Sequence, residues 1–295
     1  MITNANNSIL LMVFLFVSLS NNYVLRILGQ LGVPSEEALI GRGMTCMICS
    51  IIGGMIFGEN LLPSMFKPQI ARFFFAGFGL WATIESYHHA RASEIALISR
   101  LDMPVIILLG FLINLKSTTF QKVSSVFLIA CIATSLLIFT DQYSTFLGLA
   151  LSATGTLLLT LSYLLLSYTS KIESAAIVSL TPALSCLAFG FFISLRSGKE
   201  FNYSSTAIFL TFLSGLLMYL SYRTLRHLYR RFHFLKAQVA YLLIPLVSIP
   251  IDLLADKKPF RPLEYISFLV ISIGVLATCL VGSGIGQKGD RRGTA

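Results

Sequence analysis

Residues 8–28 read SILLMVFLFVSLSNNYVLRIL, a mostly apolar run that contains one charge, Arg26. A helix needs about 20 such residues to cross the roughly 30 Å hydrocarbon core of a bilayer. Further runs of this kind follow at 37–57, 69–88, 92–113, 120–139, 143–168, 172–194, 205–222, 234–254 and 263–283. Lipid offers the backbone no hydrogen-bond partners, and a helix needs none because its backbone N–H and C=O groups bond to each other. The sequence therefore predicts an all-α integral membrane protein with ten transmembrane helices.

The composition agrees with this fold class. Hydrophobic residues make up 55% of the chain and charged residues 12%, and the mean hydropathy is +0.79, whereas soluble domains carry about 25% charged residues. The net charge of +9 could indicate a nucleic-acid partner. The basic residues, however, lie at the ends of the apolar runs, where membrane proteins carry them, so we expect no nucleic acid.

The distribution of basic residues predicts the orientation in the membrane. With ten helices, both termini and the connections after helices 2, 4, 6 and 8 lie on one side, which holds about 13 Lys and Arg residues against about seven opposite. The positive-inside rule then places both termini in the cytoplasm, across what we expect to be a bacterial inner membrane. We expect the first helix to be retained rather than cleaved, and residues 284–295 to form a disordered tail.

The chain carries signs of an internal repeat. Pro104 and Lys116 recur 141 residues later as Pro245 and Lys257, and residues 127–129 (FLI) recur as 268–270 (FLV) at the same offset. This offset spans five helices, an odd number, so the second copy would be inserted upside down, as in many secondary transporters. The predicted repeats are residues 1–141 and 142–283. The alternative is a coincidental match between apolar helices.

A set of short motifs resembles a known family. In the first half these are Asn21-Asn22, Arg26, Gly29, the segment 34–38 (PSEEA), Arg42, the segment 90–93 (ARAS) and Pro104, and in the second half Pro182, the segment 237–245 and Ile273-Gly274. Together with the topology, they resemble the ten-helix, EamA-type branch of the drug/metabolite transporter superfamily. The Gly-Glu usual after helices 4 and 9 of that family is replaced by Leu115-Lys116 and Asp256-Lys257.

Charged residues inside the predicted spans are the first candidates for a site. They are Arg42, Glu85, Arg100, Asp102 and Asp252, with Glu94 near a helix entry. Each costs about 2.5–3.5 kcal/mol at the centre of a spanning helix, so they are expected to face one another or a cavity, although Glu94 and Arg42 could instead reach the surface. On one α-helix Arg100 and Asp102 point apart. The expected pairs are therefore Arg42 with Glu85 or Asp102, and Arg100 with Glu85.

These charges have two interpretations. They could form a network of ion pairs that fixes the packing, or they could bind a charged substrate. Charges of both signs would suit a zwitterionic substrate. Polar and aromatic residues deep in the spans complete the candidate site. The predicted substrate-binding residues are Asn22, Arg42, Trp81, Glu85, Arg100, Asp102, Tyr163, Gln238 and Tyr241.

The first functional hypothesis is a secondary transporter that moves a small polar metabolite by alternating access. The resemblance implies amino acids, nucleotide derivatives or sugar nucleotides as substrate classes. An intramembrane enzyme or a non-transporting assembly subunit is the alternative, but the sequence contains no HExxH, GxSxG or Walker motif, so we expect no enzyme activity, cofactor or bound metal. The expected partners are the bilayer, the substrate, a coupling proton or other ion, and a second copy of the chain.

Overall fold

The computed structural model describes residues 2–109, 119–139, 144–197 and 204–231, together with 262, 265–267 and 269–274. The elements are α1 (Ile2–Gln30), α2 (Ser35–Ile56), α3 (Phe66–His89), α4 (Ala92–Ile98), a 3₁₀ turn (Ser99–Leu101), α5 (Asp102–Leu108), α6 (Thr119–Phe139), α7 (Phe146–Thr169), α8 (Ala175–Ser197) and α9 (Ser205–Arg231). These elements correspond to the first eight predicted spans, although residues 110–113 of the fourth lie outside the described residues. The ninth, 234–254, lies outside the described residues, and the tenth is described only at 265–267 and 269–274, which are helical.

Several of these helices suit a membrane. By length and composition, five could cross one: Ile9–Gln30, Ser35–Ile56, Phe146–Thr169, Ala175–Arg196 and Ser205–Arg230. Their outer faces carry large apolar side chains such as Phe16, Phe192 and Phe209, which are 64–70% exposed. Extended apolar surface of this kind is costly in water and suits lipid. The described part of the protein is therefore all-helical, with the character of a multi-pass membrane protein.

Two glycines end α1 and α2 with the same turn. Gly32 (φ 68°) and Gly58 (φ 61°) adopt the left-handed conformation, which glycine reaches without steric cost. After α2, the amide of Glu59 donates to Gly54 O at 2.8 Å and the amide of Gly58 donates to Met55 O at 3.3 Å. This is the Schellman pattern, which satisfies the last carbonyls of a helix. It also fixes the direction in which Glu59 leaves α2.

The fourth predicted span is not one continuous helix. It is divided into α4 and α5 by the 3₁₀ turn Ser99–Leu101. Pro104 lacks an amide hydrogen and its ring clashes with the preceding turn, so proline is tolerated only near a helix start. Here it lies in the first turn of α5. All seven residues of α4 are buried, so this short helix lies inside the bundle.

The helices pack in antiparallel pairs. Helix α3 lies along α7, where a side chain at Gly79 would meet Leu159 Cγ at 2.9 Å and one at Gly155 would meet Gly79 O at 3.0 Å. Helix α2 lies along α8, and the hydroxyl of Ser50 donates to Ser179 Oγ at 2.8 Å. Small residues of this kind let helices approach closely in a membrane, where packing rather than the hydrophobic effect drives association.

The connections gather at two ends of the bundle. At the α2–α3 end, which comprises residues 57–65, residues 170–174 and the end of α9, Glu59 Oε2 accepts from the amide of Ala176 at 2.8 Å. At the α3–α4 end, the amide of Thr145 before α7 donates to His89 O at 2.8 Å. Arg26 near the end of α1 donates to Ala90 O at 2.7 Å at the same end. Helix α2 therefore ends where α8 begins, and α1 ends where α7 begins.

Candidate functional site

A cavity of about 140 Å³ lies inside the bundle, between α1, α2, α3, the α4–α5 region, α7 and α9. Polar and charged side chains line a large part of it: Ser18, Asn21, Asn22, Arg42, Thr83, Ser99, Arg100, Asp102, Ser152, Thr156, Thr160 and Ser221, together with Tyr87, Tyr163 and Tyr222. A concave site with convergent polar groups is the usual location of a small-molecule site. In a bundle with an apolar outer surface, such a cavity is the first candidate for a substrate site.

The structure brings five of the nine predicted site residues to this cavity. They are Asn22, Arg42, Arg100, Asp102 and Tyr163. Trp81 and Glu85 belong to α3 but are not among the lining residues. Trp81 packs against the apolar core, while Glu85 Oε1 lies 3.4 Å from His89 Nε2, one helical turn away. Gln238 and Tyr241 lie outside the described residues.

The prediction that Arg100 and Asp102 cannot pair was wrong. Arg100 Nη2 lies 3.9 Å from Asp102 Oδ2, and the amide of Met103 donates to Asp102 Oδ1 at 2.7 Å. The prediction assumed a continuous α-helix, in which residues two positions apart point about 200° away from each other. The 3₁₀ turn changes that angle. Both side chains are buried, with Arg100 3% and Asp102 6% exposed.

Arg42 is not paired with either predicted carboxylate. Its Nε donates to Met218 Sδ of α9 at 2.9 Å, and its Nη1 makes no hydrogen bond to the described residues. The side chain is 4% exposed, so it does not reach the surface. A thioether sulfur is a weak acceptor, so the described residues compensate the charge of Arg42 only weakly at the cavity wall.

Glu94 is also buried rather than directed to the surface. Its Oε2 accepts from the hydroxyl of Ser144, and Arg91 Nη1 lies 3.8 Å from its Oε1. Both partners belong to the α3–α4 end, where they join the start of α4 to the segment before α7. Glu94 is not among the cavity-lining residues, so its contacts stabilise the packing at this end of the bundle.

A hydroxyl stripe on α7 was missed at the sequence level. Ser152, Thr156 and Thr160 all line the cavity, and their spacing of four residues places them on one helix face. Thr156 Oγ1 donates to Ser152 O at 2.8 Å and Thr160 Oγ1 to Thr156 O at 2.7 Å. The spacing was readable in the sequence, but Ser and Thr are common in membrane helices and carry little signal alone. Tyr163 continues this face, with its ring 6.3 Å from that of Tyr222.

A polar network connects the segments at the α2–α3 end. Arg223 Nη2 of α9 lies 2.8 Å from Glu59 Oε1, and its guanidinium stacks 4.4 Å from the centre of the Phe57 ring. The buried Glu173 accepts from the amide of Met65 at 2.7 Å. Its backbone carbonyl accepts from Arg226 Nε at 2.9 Å and Nη2 at 2.6 Å. These contacts connect segments 57–65 and 170–174 to the end of α9.

A comparison with solved structures gives a match over nearly the whole chain. A crystal structure of a protein superposes with a TM-score of 0.66, covering 96% of this chain and 98% of the other, at 12% sequence identity. At this identity the match shows a shared fold alone. No protein-family model matches the sequence, and no curated protein is significantly similar to it.

Proposed function

We propose that the protein is a secondary transporter that carries a small polar metabolite across a membrane by alternating access. The observation that carries the proposal is the cavity, lined by Arg42, Arg100 and Asp102 in the interior of an apolar helical bundle. Ionisable residues in membrane helices are costly and usually serve a substrate or ion pathway. The lining comes from helices α1–α5 on one side and α7 and α9 on the other, so a solute held there would contact both proposed halves.

The helix contacts support an inverted repeat. A shift of five spans takes α1 to α7, α2 to α8 and α3 to α9. Under this shift the α3–α7 pair becomes α9–α1, and the α2–α9 pair becomes α8–α3; all four pairs are in contact. In two of the matched pairs, α2 with α8 and α1 with α7, one helix ends where its counterpart begins, which is the relation an inverted copy requires. Transporters use such repeats to exchange an outward-open and an inward-open state.

A contact near the ends of the two proposed copies also supports the repeat. A side chain at Gly274, in the tenth predicted span, would lie 2.6 Å from Leu128 Cδ2 of α6, the fifth span. These two spans are counterparts under the five-span shift, as α2 and α8 are. Counterpart helices that touch each other lie close to a two-fold axis. We therefore propose repeats at 1–141 and 142–283, and membership of the EamA-type drug/metabolite transporters on the motifs quoted above.

The distribution of charges supports the proposed orientation. Lys171, Arg223, Arg226 and Arg230 all belong to the α2–α3 end. At the opposite end Arg26 and Arg91 are buried, so they expose little charge to solvent. An excess of basic groups marks the cytoplasmic side. We propose that the α2–α3 end and both termini face the cytoplasm of a bacterial cell.

Transport by two carboxylate variants tests the proposal. Purified protein is reconstituted into vesicles loaded with a mixture of cell metabolites, and the solutes that leave are identified by mass spectrometry. Asp102→Asn should slow efflux at least tenfold, because it removes the one carboxylate among the described lining residues. Glu85→Gln is the matched control, since Glu85 contacts His89 and does not line the cavity; it should retain most of the activity.

Two results would contradict the proposal. One is wild-type vesicles that release no metabolite faster than empty vesicles do. The other is normal efflux through Asp102→Asn at equal protein levels, which would move the site away from this cavity.

A further inference from the structure

Arg42 differs from the other buried arginines in what its donors meet. A guanidinium carries five N–H donors and no acceptor. The one described hydrogen bond from Arg42 goes to the sulfur of Met218, at 2.9 Å, and Nη1 has no acceptor among the described residues. Its side chain is only 4% exposed, so bulk water does not replace the missing acceptors.

Elsewhere the fold supplies oxygen atoms for its buried arginines. Arg26 donates to Tyr87 O at 3.0 Å and Ala90 O at 2.7 Å. Arg72, which is fully buried, donates to Gln69 Oε1 at 2.8 Å and Val178 O at 3.2 Å. Arg226 makes two bonds to Glu173 O. Each of these three arginines therefore donates to at least one oxygen atom, whereas Arg42 has no oxygen acceptor among the described residues.

Three further residues that line the cavity with Arg42 carry a buried polar atom without a hydrogen bond among the described residues. These atoms are Asn21 Oδ1 of α1, Ser152 Oγ of α7 and the hydroxyl of Tyr222 of α9. A buried polar group without a partner costs free energy, and a buried unpaired charge costs more. Four such groups in the lining of one cavity are the arrangement expected of a site that is completed by a ligand.

The charge of the lining indicates the sign of that ligand. Among the described lining residues there are two arginines and one aspartate, so this part of the wall carries a formal excess of positive charge. Asp102 is already close to Arg100, at 3.9 Å, so Arg42 is the lining arginine without a carboxylate partner in the part of the chain that the structure describes. A simple cation would be repelled by this wall, whereas an anionic group would be attracted.

We propose that the cavity binds its substrate through an anionic group, a carboxylate or a phosphate, held by the guanidinium of Arg42. The planar guanidinium presents paired donors that match the oxygen atoms of either group. This inference rests on the proposed transport function and specifies the substrate class. Arg42 lies where α2 crosses α9, since a side chain at Gly215 would meet Arg42 O at 2.6 Å. An anion at Arg42 would therefore bind at a junction of the two proposed halves.

Thermal unfolding in detergent tests the binding directly. Succinate, inorganic phosphate and glycerol 3-phosphate are added separately to the purified protein, with succinamide and glycerol as uncharged matches. A ligand that binds the folded state raises its melting temperature. We expect at least one of the anions to raise it by several degrees and neither uncharged compound to do so. A response to succinate alone assigns a carboxylate, and a response to the two phosphate compounds assigns a phosphate.

Variants of Arg42 connect the response to this side chain. Arg42→Gln should abolish the shift, and Arg42→Lys should weaken it because lysine lacks the planar fork. Without ligand, Arg42→Gln should melt at or above the wild-type temperature, because it removes an uncompensated buried charge. Arg226→Gln is the matched control: it should melt lower, because it loses the bonds to Glu173 O, but should keep the response to the anion.

The inference fails if none of the three anions shifts the wild-type melting temperature, or if Arg42→Gln retains the shift. It also fails if ligand-free Arg42→Gln melts as low as Arg226→Gln, since Arg42 would then serve packing. Vesicle transport separates this failure from that of the proposed function. Transport of uncharged or cationic solutes by Arg42→Gln would support the proposed transport function and contradict the anion site. A rise in melting temperature with an anion, without transport of any solute, would support the anion site and contradict the transport function.

Discussion

The buried arginines give the clearest prediction at the scale of single residues. Arg226 is 8% exposed and donates twice to Glu173 O, whereas Arg230, one turn later, is exposed and makes one bond of 3.3 Å to Lys171 O. Arg226→Ala should lower the free energy of unfolding by about 1–3 kcal/mol, because it leaves a carbonyl without its charged donor. Arg230→Ala should change it by less than about 0.5 kcal/mol. Unfolding in denaturing detergent measures both, and equal losses would contradict the assigned contacts.

The sequence predicted some of the buried charges but not their partners, and it did not indicate Arg72 or Arg91, which are also buried. Insertion cost depends on composition and position, which the sequence contains, and this identified Arg42, Arg100 and Asp102. Partners depend on the local backbone and on helix neighbours. A 3₁₀ turn of three residues brought Arg100 to Asp102, and the crossing of α2 with α9 placed Met218 against Arg42. Neither contact has a signature in the order of the residues.

At the scale of the elements, the ion pair between Glu59 and Arg223 connects the end of α2 to α9. Its atoms are 2.8 Å apart and the two side chains are 16–19% exposed, so solvent screens it only partly. Arg223→Glu and Glu59→Arg should each lower stability, because each places like charges together. The double reversal should recover about 1 kcal/mol relative to the sum of the single losses. Recovery should be incomplete, since Glu59 also accepts from the amide of Ala176 at the start of α8.

A thermal-unfolding cycle of the four proteins measures that coupling. If the loss of stability in the double variant equals the sum of the two single losses, the pair contributes nothing to stability. If transport is established, the same cycle tests whether the pair holds the α2–α3 end closed. The single variants should then change the rate of transport in vesicles, and the double variant should restore it. Lys171→Ala is a suitable control for general charge effects at this end, because Lys171 is exposed.

The described helices follow the apolar runs, but their ends and interruptions do not. Hydropathy ends the eighth span at 222, whereas α9 continues to Arg231. Its last two turns are held by bonds from Arg223 and Arg226 to the loops, which hydropathy cannot register. The break between α4 and α5 follows from Pro104, whose presence predicts a bend but not its exact form.

At the scale of the whole molecule, the apolar runs predicted the all-helical class, while the ten-helix count and the inverted repeat stay predictions. The offset of 141 residues rests on few identities, because apolar matches are common in membrane helices. The contacts among α1, α2, α3, α7, α8 and α9 add an independent argument, since they map onto one another under the five-span shift. This correspondence between helix contacts is visible only in the packing of the helices and not in the sequence.

Cysteine labelling of two exposed leucines tests the topology. Leu31, at the α3–α4 end, is 50% exposed, and Leu62, at the α2–α3 end, is 74% exposed. The five natural cysteines are first replaced by serine or alanine, and Leu31→Cys or Leu62→Cys is then introduced singly. A membrane-impermeant maleimide should label Leu31→Cys in intact cells and Leu62→Cys only in inverted vesicles, because the basic end faces the cytoplasm. The reverse result would invert the orientation. Labelling of both sites from one side would show that α2 does not cross the membrane, and neither the inverted repeat nor alternating access through the cavity would then be tenable.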